Sequence, residues 1–362
     1  MTTRPNLFEF ATSELSQDAF LCWLLSWADH SRAKVDSALH QAGTKFLTGI
    51  FEKFPGRAFA TTPKPEIKIE KIWRQYKTID VLAEILVDSK SYALVIEDKT
   101  HTTMHGEQLQ NHRKSAKDKF PDHEILCVYL KTGEVSQALQ AEEAGYAVYS
   151  RKDFLEALGE EPDDTTDSIL RDFHTHLINM NNRYEAYKNK VVGCWINDWN
   201  AWEGFFGALQ RKTKDKWNKP EWGYAANQSG GELVFAWERK CRKIENGWVY
   251  PQVIKKWENE NRGNGRRFLA FKVSDVPKHE RSEVRNDLHK SLMEAARQGN
   301  WSGRVKRPER FGHGETMVFC ETVCDDAWLV KNDDGKLDMD KTIERLSEAS
   351  VLLDRAIEIY KN

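Results

Sequence analysis

Three charged side chains in one short stretch have the types and spacing of a hydrolytic metal site. Residues 77–99, KTIDVLAEILVDSKSYALVIEDK, read as two apolar strands joined by a polar turn. Asp80 lies near the start of this stretch, and Glu97 and Lys99 lie at its end. Side chains alternate between the two faces of a strand, so Glu97 and Lys99 project to one side and Asp98 to the other. If the two strands pair, Asp80 approaches Glu97 and Lys99 at the rim of an apolar sheet.

Such a cluster of charges is costly to desolvate without a further partner. A divalent cation supplies that partner, because Mg²⁺ takes carboxylate oxygens and keeps several waters and substrate phosphate oxygens. We therefore predict that Asp80 and Glu97 hold Mg²⁺, with Mn²⁺ as a substitute. Lys99 would position the attacking water or help to deprotonate it, while the metal offsets charge that grows on phosphorus. The chemistry favoured by this set is hydrolysis of a phosphodiester bond.

The combination of Asp80, Glu97 and Lys99, with LVIEDK as the second strand, resembles the PD-(D/E)XK nuclease superfamily. A Glu-x-Lys triplet alone carries no weight, because chance supplies one in a chain with 30% charged residues, and a plain surface salt bridge is the alternative. The setting matters: an apolar run ending in charges, a second strand with an aspartate, and a following helix with a glutamine. Ile79 replaces the usual proline before the aspartate. The resemblance implies a nuclease with a restriction-endonuclease-like fold, a mixed central sheet flanked by helices.

Two further segments are similar to a bacterial and phage branch of that superfamily. Thr12-Ser13-Glu14 leads into FLCWLLSWAD like the opening helix of that branch, whose helix glutamate faces the site. Glu107-Gln108-Leu109 is similar to the QL element that follows the Glu-x-Lys strand. The resemblance, which covers about residues 7–150, implies that Glu14 assists and that Gln108 touches the metal-bound phosphate or water. A simpler explanation of Glu14 is that the helix dipole favours a carboxylate at a helix N-terminus.

The neighbouring segments predict the elements that position these residues. Residues 66–72 alternate polar and apolar side chains, as an exposed strand does, and complete an antiparallel meander of three with the strands of residues 77–99. A strand that lies between helices supports a mixed sheet covered on both faces. The other elements predicted in this half are helices from residue 12, over 35–54, over 107–119, from 152 and over 167–187, and strands over 124–130 and 146–150.

The helix over 107–119 is expected to carry His112 and Lys119 on its surface. For His112, as for His101 and His105, a solvated surface histidine is preferred to a site residue. The helix also has an uneven basic stripe, which would either contact the substrate backbone or form an ordinary solvated face. The stripe consists of Arg113, Lys114 and Lys117.

Length and composition predict two domains in a soluble globular protein. The chain has 362 residues, of which 40% are hydrophobic and 30% charged, and a domain typically takes ~150 residues. We place a nuclease-like domain at residues 1–188 and a Trp-rich α+β domain at residues 189–362. Ten of the thirteen tryptophans follow residue 190. Strands are predicted in GELVFAWER, GWVYPQVIKKW, RRFLAFKVS and ETMVFCETV, with two covering helices over 280–298 and 340–360.

The second half also carries basic clusters, three of them with aromatic residues within reach. Interleaved cations and rings suit nucleic acid, through phosphate contacts and base stacking. Solvated charges at strand ends and a dimer interface are the alternatives, because the net charge of −2 does not indicate a nucleic-acid binder. The clusters lie at residues 211–217, 239–243, 262–267 and 304–310. A core role is predicted for Trp195, Trp199, Trp202, Phe206 and Leu209, which fall on one helical face.

Other patterns limit the location of the protein. No apolar run approaches the ~20 residues that span a bilayer, and the N-terminus lacks a basic-then-apolar signal. The six cysteines are scattered without a C-x-x-C pair, which favours buried thiols in a reducing compartment over a zinc site. We therefore expect a cytoplasmic protein with no membrane association.

The leading functional prediction is a metal-dependent endonuclease that acts on DNA. The first domain would cut, and the second would grip the substrate or a partner. Resemblance to the family implies a role in phage defence, restriction or a mobile element. The alternatives are an inactive nuclease fold that binds nucleic acid or serves as a regulatory subunit, and a nuclease that cleaves RNA. Symmetric cuts in duplex DNA need two sites, which makes a homodimer attractive.

Overall fold

The computed structural model describes residues 4–54, 65–100, 107–136, 138–159, 166–226, 231–256 and 265–361. His101 and His105 lie outside the described residues, so their predicted surface positions stay predictions. The chain divides into two compact units, Met1–Asn182 and Arg183–Asn362. Each unit has its own sheet and its own hydrophobic core.

The first unit contains the predicted mixed sheet, with five strands in the order β1-β2-β3-β4-β5. The first three strands pair antiparallel, and β3, β4 and β5 pair parallel. The meander and the parallel strands confirm the predicted fold class for this half of the chain. The strands are β1 Ile67–Tyr76, β2 Ile79–Val87, β3 Lys90–Lys99, β4 Glu124–Lys131 and β5 Ala147–Ser150.

Helices cover both faces of this sheet, and their starts follow from capping residues. The side chain of Ser13 accepts from the backbone N–H of Ser16 at the start of α1, and Asp36 caps α2 in the same way. Leu109 and Ala116 of α3 pack on Ala93 and Val95 of β3. The helices are α1 Glu14–Trp27, α2 Ser37–Glu52, α3 Gln108–Lys119, α4 Ala138–Glu143, α5 Arg151–Leu158 and α6 Ser168–Tyr184.

The second unit is an α+β unit with a seven-stranded sheet in the order β11-β12-β10-β9-β7-β6, with β8 paired to β9. Every strand pair in it is antiparallel. The strands are β6 Glu221–Ala225, β7 Glu232–Ala236, β8 Arg242–Ile244, β9 Gly247–Lys256, β10 Arg267–Ser274, β11 Val305–Lys306 and β12 Thr316–Thr322. The helices are α7 Ala186–Asn189, α8 Val192–Trp195, α9 Trp199–Thr213, α10 Arg281–Arg297 and α11 Met339–Lys361.

The core of the second unit uses most of the predicted aromatic face. Trp202, Phe206 and Leu209 are fully buried on α9, whereas Trp195 is buried from the separate helix α8, and Trp199 is only partly buried. The helix is therefore interrupted between Trp195 and Trp199, and Asp198 caps the start of α9. A continuous helical face was the wrong prediction for this segment.

The cysteines differ in burial more than the sequence suggested. All six are free, and Cys127 and Cys320 are buried as expected. Cys194, Cys241 and Cys324 are exposed, which corrects the prediction of buried thiols for these three. Among the helices of the described residues, none is both long and apolar enough to cross a bilayer.

Gly43 permits the close packing of α2 against α1, the helix that carries Glu14. A Cβ at this position would lie 2.6 Å from the carbonyl oxygen of Leu24 and 2.7 Å from the backbone nitrogen of Ala28. We expect Gly43→Ala to lower the free energy of unfolding by about 1–3 kcal/mol, because the clash outweighs the gain in helix propensity. Urea denaturation followed by circular dichroism measures this loss.

Gly49→Ala is the matched control on the same helix. The added Cβ would meet the Tyr149 side chain, with the hydroxyl at 3.1 Å, rather than backbone atoms. A smaller loss is expected there. Equal stability of the Gly43→Ala variant and the unaltered chain would show that α1 and α2 do not pack as described.

Candidate functional site

The pairing of β2 with β3 brings the predicted acids together. Val81 pairs with Ile96, which places Asp80 beside Glu97 across the two strands. A carboxylate oxygen of Asp80, Oδ2, also accepts a hydrogen bond from the backbone N–H of Asp98 at 2.9 Å. The side chain of Asp80 is therefore fixed against the end of β3.

The ammonium of Lys99 lies among three oxygen atoms at this strand end. Its Nζ lies 2.7 Å from Glu97 Oε1 and 3.3 Å from Asp80 Oδ2, and it donates to the carbonyl oxygen of Asp98 at 2.9 Å. Glu97 is fully buried and Lys99 is 7% exposed. Two carboxylates and one amine thus converge as the sequence predicted, and a backbone carbonyl joins them.

The three oxygens around Lys99 form a donor set that suits a hard divalent cation. Carboxylate and carbonyl oxygens are the protein ligands that Mg²⁺ and similar ions take. In the described part of the chain, no group of three or more His, Cys, Asp and Glu side chains is arranged to hold a metal ion. Asp80 and Glu97 would thus need the Asp98 carbonyl, water and substrate to complete a metal site. The Lys99 ammonium, the cation among these oxygens, would have to move aside.

Burial and neighbouring charges together determine the protonation of Asp80 and Lys99. Burial raises the pKa of Asp80, and the nearby Glu97 carboxylate raises it further. Burial alone would lower the pKa of Lys99, but Glu97, Asp80 and Glu14 outweigh burial and hold that pKa above its ordinary value. Lys99 therefore carries a proton at neutral pH, which makes it a hydrogen-bond donor and a positive charge rather than a base.

Helix α3 supplies further contacts to Glu97. Gln108 donates from Nε2 to Glu97 Oε1 at 2.6 Å. Nδ1 of His112 lies 2.9 Å from Glu97 Oε2, although the two atoms are not aligned as a hydrogen bond. The other ring nitrogen of His112 lies 3.0 Å from the hydroxyl of Thr78. Gln108 therefore holds the Glu97 carboxylate by a hydrogen bond, and His112 lies beside it on the same side.

The prediction of a surface histidine at position 112 is wrong. His112 is 2% exposed. The residue follows Gln108 by four positions, and residues four apart share one helix face. Once Gln108 is directed at Glu97, His112 is directed at it as well, so this spacing was the signal that sequence reasoning did not use.

Glu14, the first residue of α1, contacts the backbone directly after the motif. Its Oε1 accepts a hydrogen bond from the N–H of Thr100 at 2.9 Å. Its charge also contributes to the raised pKa of Lys99. Glu14 therefore lies at the same strand end as Asp80 and Lys99, the position that the family resemblance implied.

Asp98 lies on the opposite face of β3 and is fully buried against α1. Gln17 donates to Asp98 Oδ1 at 2.5 Å and accepts from the hydroxyl of Thr132 at 2.9 Å. Asp98 Oδ2 is buried without a hydrogen-bond partner. Burial, together with the charge of Asp18, raises the pKa of Asp98 well above its ordinary value. No role was predicted for Gln17, although it lies one turn after Glu14 on the same helix.

Gln75 connects the Asp98 side of the sheet with the side that carries Glu97 and Lys99. Its side-chain amide donates to Asp18 Oδ2 at 2.9 Å and to Asp80 Oδ1 at 3.0 Å. Burial and the neighbouring Asp80 carboxylate raise the pKa of Asp18 from its ordinary 3.8 to about 6. Gln75 follows no sequence pattern that indicates a site. Asp18 follows Glu14 by four positions on α1, and that spacing places both on one helix face.

The chain is similar to a known protein family over most of its length. The sequence model of one family, described as the PD-(D/E)XK nuclease superfamily, matches residues 5–255, more than half of the chain. The match includes the entire first sheet and continues through β6 to β9. Searches of curated proteins and of solved structures give no match.

The raised pKa of Asp18 predicts a pH-dependent change in stability. The carboxyl ionises near pH 3.8 in the unfolded chain and near pH 6 in the folded chain, so the folded state binds more protons between these values. Stability contributed by this group is therefore lost as pH rises through that window. We expect Asp18→Asn, which keeps an oxygen for Gln75, to raise the melting temperature by a few degrees when the pH is higher than 6.

Thermal unfolding in EDTA between pH 4 and pH 8 measures the effect. Near pH 4 the two proteins should melt at similar temperatures, because Asp18 is then neutral in the folded state. A difference that does not change with pH would mean that ionisation of Asp18 is not its cause.

Proposed function

The chain belongs to the PD-(D/E)XK nuclease superfamily, and we propose that it is a metal-dependent endonuclease that hydrolyses phosphodiester bonds of DNA. Nucleases of this superfamily generally use divalent metal ions. Mg²⁺, with Mn²⁺ as a substitute, suits the oxygens of Asp80 and Glu97 and the Asp98 carbonyl. The observation that carries the proposal is the convergence of these three oxygens on the Lys99 ammonium, within 3.3 Å of Nζ.

In this proposal each residue of the set has its own task. When bound, the divalent ion supplies Lewis-acid stabilisation of the charge that develops on the phosphate. Asp80 and Glu97 hold the ion. Lys99, an ammonium because of its raised pKa, donates hydrogen bonds that orient the attacking water and offset negative charge on a phosphate oxygen.

Gln108 and Glu14 act next to the reacting groups. Gln108 already donates to Glu97 at 2.6 Å, and the second hydrogen of its amide can reach a phosphate oxygen or water. Glu14 holds the N–H of Thr100 and so fixes the chain directly after Lys99. Loss of either residue would misplace the Glu97–Lys99 pair, and small misplacements reduce rates strongly.

The second unit is proposed to grip the substrate or a partner. Two guanidinium groups, of Arg285 and Arg307, lie 3.9 and 4.2 Å from the centre of the Phe311 ring. Such cation and ring pairs suit phosphate and base contacts. Part of the basic character is neutralised within the unit, since Arg242 forms ion pairs with Glu238 and Asp354. Arg307, an exposed member of the predicted cluster at residues 304–310, is therefore the cation that we assign to nucleic acid, together with the Phe311 ring. Arg285 is buried and donates to the carbonyl oxygens of Phe311 and Gly312.

DNA, rather than RNA, is the proposed substrate, and a role in phage defence, restriction or a mobile element is proposed from the family likeness. A cytoplasmic location suits six free cysteines. Symmetric double-strand cuts would require a homodimer with two sites. A panel of single-stranded and duplex DNA and RNA distinguishes the substrates.

Loss of Lys99 or Asp80 tests the assignment. Lys99→Ala and Asp80→Asn should each lower Mg²⁺-dependent cleavage of plasmid and single-stranded DNA by at least about 100-fold. Lys99→Ala removes the ammonium that offsets charge on the phosphate, and Asp80→Asn removes a carboxylate that would hold the metal ion. EDTA should abolish cleavage by the unaltered chain. Gel electrophoresis of the digests, with circular dichroism to confirm folding, provides the measurement.

Lys90→Ala is the matched control, a lysine at the other end of the same strand. Its ammonium forms an exposed ion pair with Glu124 at 2.6 Å. Cleavage by this variant should equal that of the unaltered chain. If the Lys99→Ala and Asp80→Asn variants still cleave normally, the site is wrongly assigned. Binding without cleavage by the unaltered chain, in either Mg²⁺ or Mn²⁺, would favour an inactive nuclease fold with a binding or regulatory role.

A further inference from the structure

Aromatic rings and lysines meet at the tip of the β1–β2 hairpin and the end of α3. The ammonium of Lys119 lies 4.5 Å from the centre of the Trp73 ring and 4.9 Å from that of Tyr76. Lys71 lies 5.1 Å from the Trp73 ring, and Lys77 lies 5.6 Å from the Tyr76 ring. We call these five residues the hairpin cluster. Both rings are half-buried, and Lys71 and Lys77 are exposed.

The hairpin cluster lies on the same sheet face as the candidate catalytic residues. Trp73 pairs with Leu82, which is two residues from Asp80 on the same strand. Side chains two apart on a strand share a face. Strand spacing and rise place the Cα atoms of Trp73 and Asp80 roughly 8 Å apart. A nucleotide strand with its phosphate at Asp80 would therefore reach Trp73 with a base close to the bond that is cut.

The lysines of the hairpin cluster lack the carboxylate partners that many other cations of the chain have in the described ranges. Within the described ranges, Lys71, Lys77 and Lys119 form no ion pair with a carboxylate, whereas Arg266 and Arg267 each do. Their positive charge is therefore available to phosphates. The basic stripe of α3 adds the exposed cations Arg113, Lys114 and Lys117 along the same helix.

We propose that the hairpin cluster is a nucleic-acid subsite in which an unpaired base stacks on Trp73 in place of the Lys119 ammonium. Lys71 and Lys77 would hold the phosphates on either side of that base. The exchange is favourable, because a base stacked on an aromatic ring is generally stabilised more than a cation over a ring that is not fully desolvated, and Lys119 is only partly buried. The proposal rests on the proposed nuclease function and specifies its substrate: a strand with an unpaired base beside the phosphate that is cut.

Trp73→Leu and Trp73→Tyr form a matched pair for the test. Leucine keeps an apolar group against Phe120 and the core but removes the stacking surface, while tyrosine keeps a ring. Fluorescence anisotropy in EDTA gives the dissociation constants for a labelled single-stranded oligonucleotide and for the matching duplex, without cleavage. Melting temperatures from circular dichroism show that both variants fold.

For Trp73→Leu we expect single-strand binding to weaken by roughly tenfold and duplex binding by less than about twofold. Trp73→Tyr should bind the single strand within about threefold of the unaltered chain. Unchanged single-strand binding by Trp73→Leu would overturn the subsite, and so would an equal loss for single strand and duplex, since that pattern indicates backbone contacts alone.

Cleavage by the unaltered chain separates this proposal from the nuclease function. If that chain cleaves DNA while Trp73→Leu binds single strands normally, only the subsite is wrong. If the unaltered chain neither cleaves nor binds nucleic acid, the nuclease function is wrong, and the subsite is overturned together with it.

Discussion

The ammonium of Lys99 is the charge that stabilises two acids at the end of β3, the buried Glu97 and the partly buried Asp80 of β2. Ionised carboxylates out of water are strongly destabilised unless a partner offsets their charge. Lys99 supplies that partner to Asp80 and Glu97 at once, and the Asp98 carbonyl accepts the third hydrogen bond. A divalent ion could replace the ammonium among the same oxygens, which would leave Lys99 available to water and phosphate. In this account the oxygens around Lys99 are already in the arrangement that a bound ion would use.

The surrounding helices and the hairpin hold Asp80, Glu97 and Lys99 in place from several directions. Helix α1 holds the strand end through Glu14, and α3 holds Glu97 through Gln108. The tip of the β1–β2 hairpin has a strained backbone. Gln75 and Thr78 have φ of 59° and 73°, a left-handed conformation that is unfavourable for residues other than glycine. The amide of Gln75 contacts Asp80, and the hydroxyl of Thr78 contacts His112, so both strained residues contribute polar groups to the site.

The sequence predicted the strands and the motif because their signals are local. Alternating and apolar runs identified β1 to β4, and the convergence of Asp80, Glu97 and Lys99 followed from strand pairing alone. The family resemblance added Glu14 and Gln108. The contacts of α1 with the Asp98 face of the sheet could not be predicted from local signals, because Gln17 and Asp18 acquire their partners only when α1 packs on the sheet. The hairpin tip, Lys77-Thr78, also lacks the glycine or asparagine that usually indicates such a turn.

Whether the oxygens around Lys99 form a divalent metal site can be tested with Mn²⁺. Crystals grown with Mn²⁺ give an anomalous signal that locates each bound ion. We predict one ion in contact with carboxylate oxygens of Asp80 and Glu97 and with the Asp98 carbonyl, and Lys99 Nζ displaced from its place among them. An ion bound elsewhere, with Lys99 still between both carboxylates, would contradict this account.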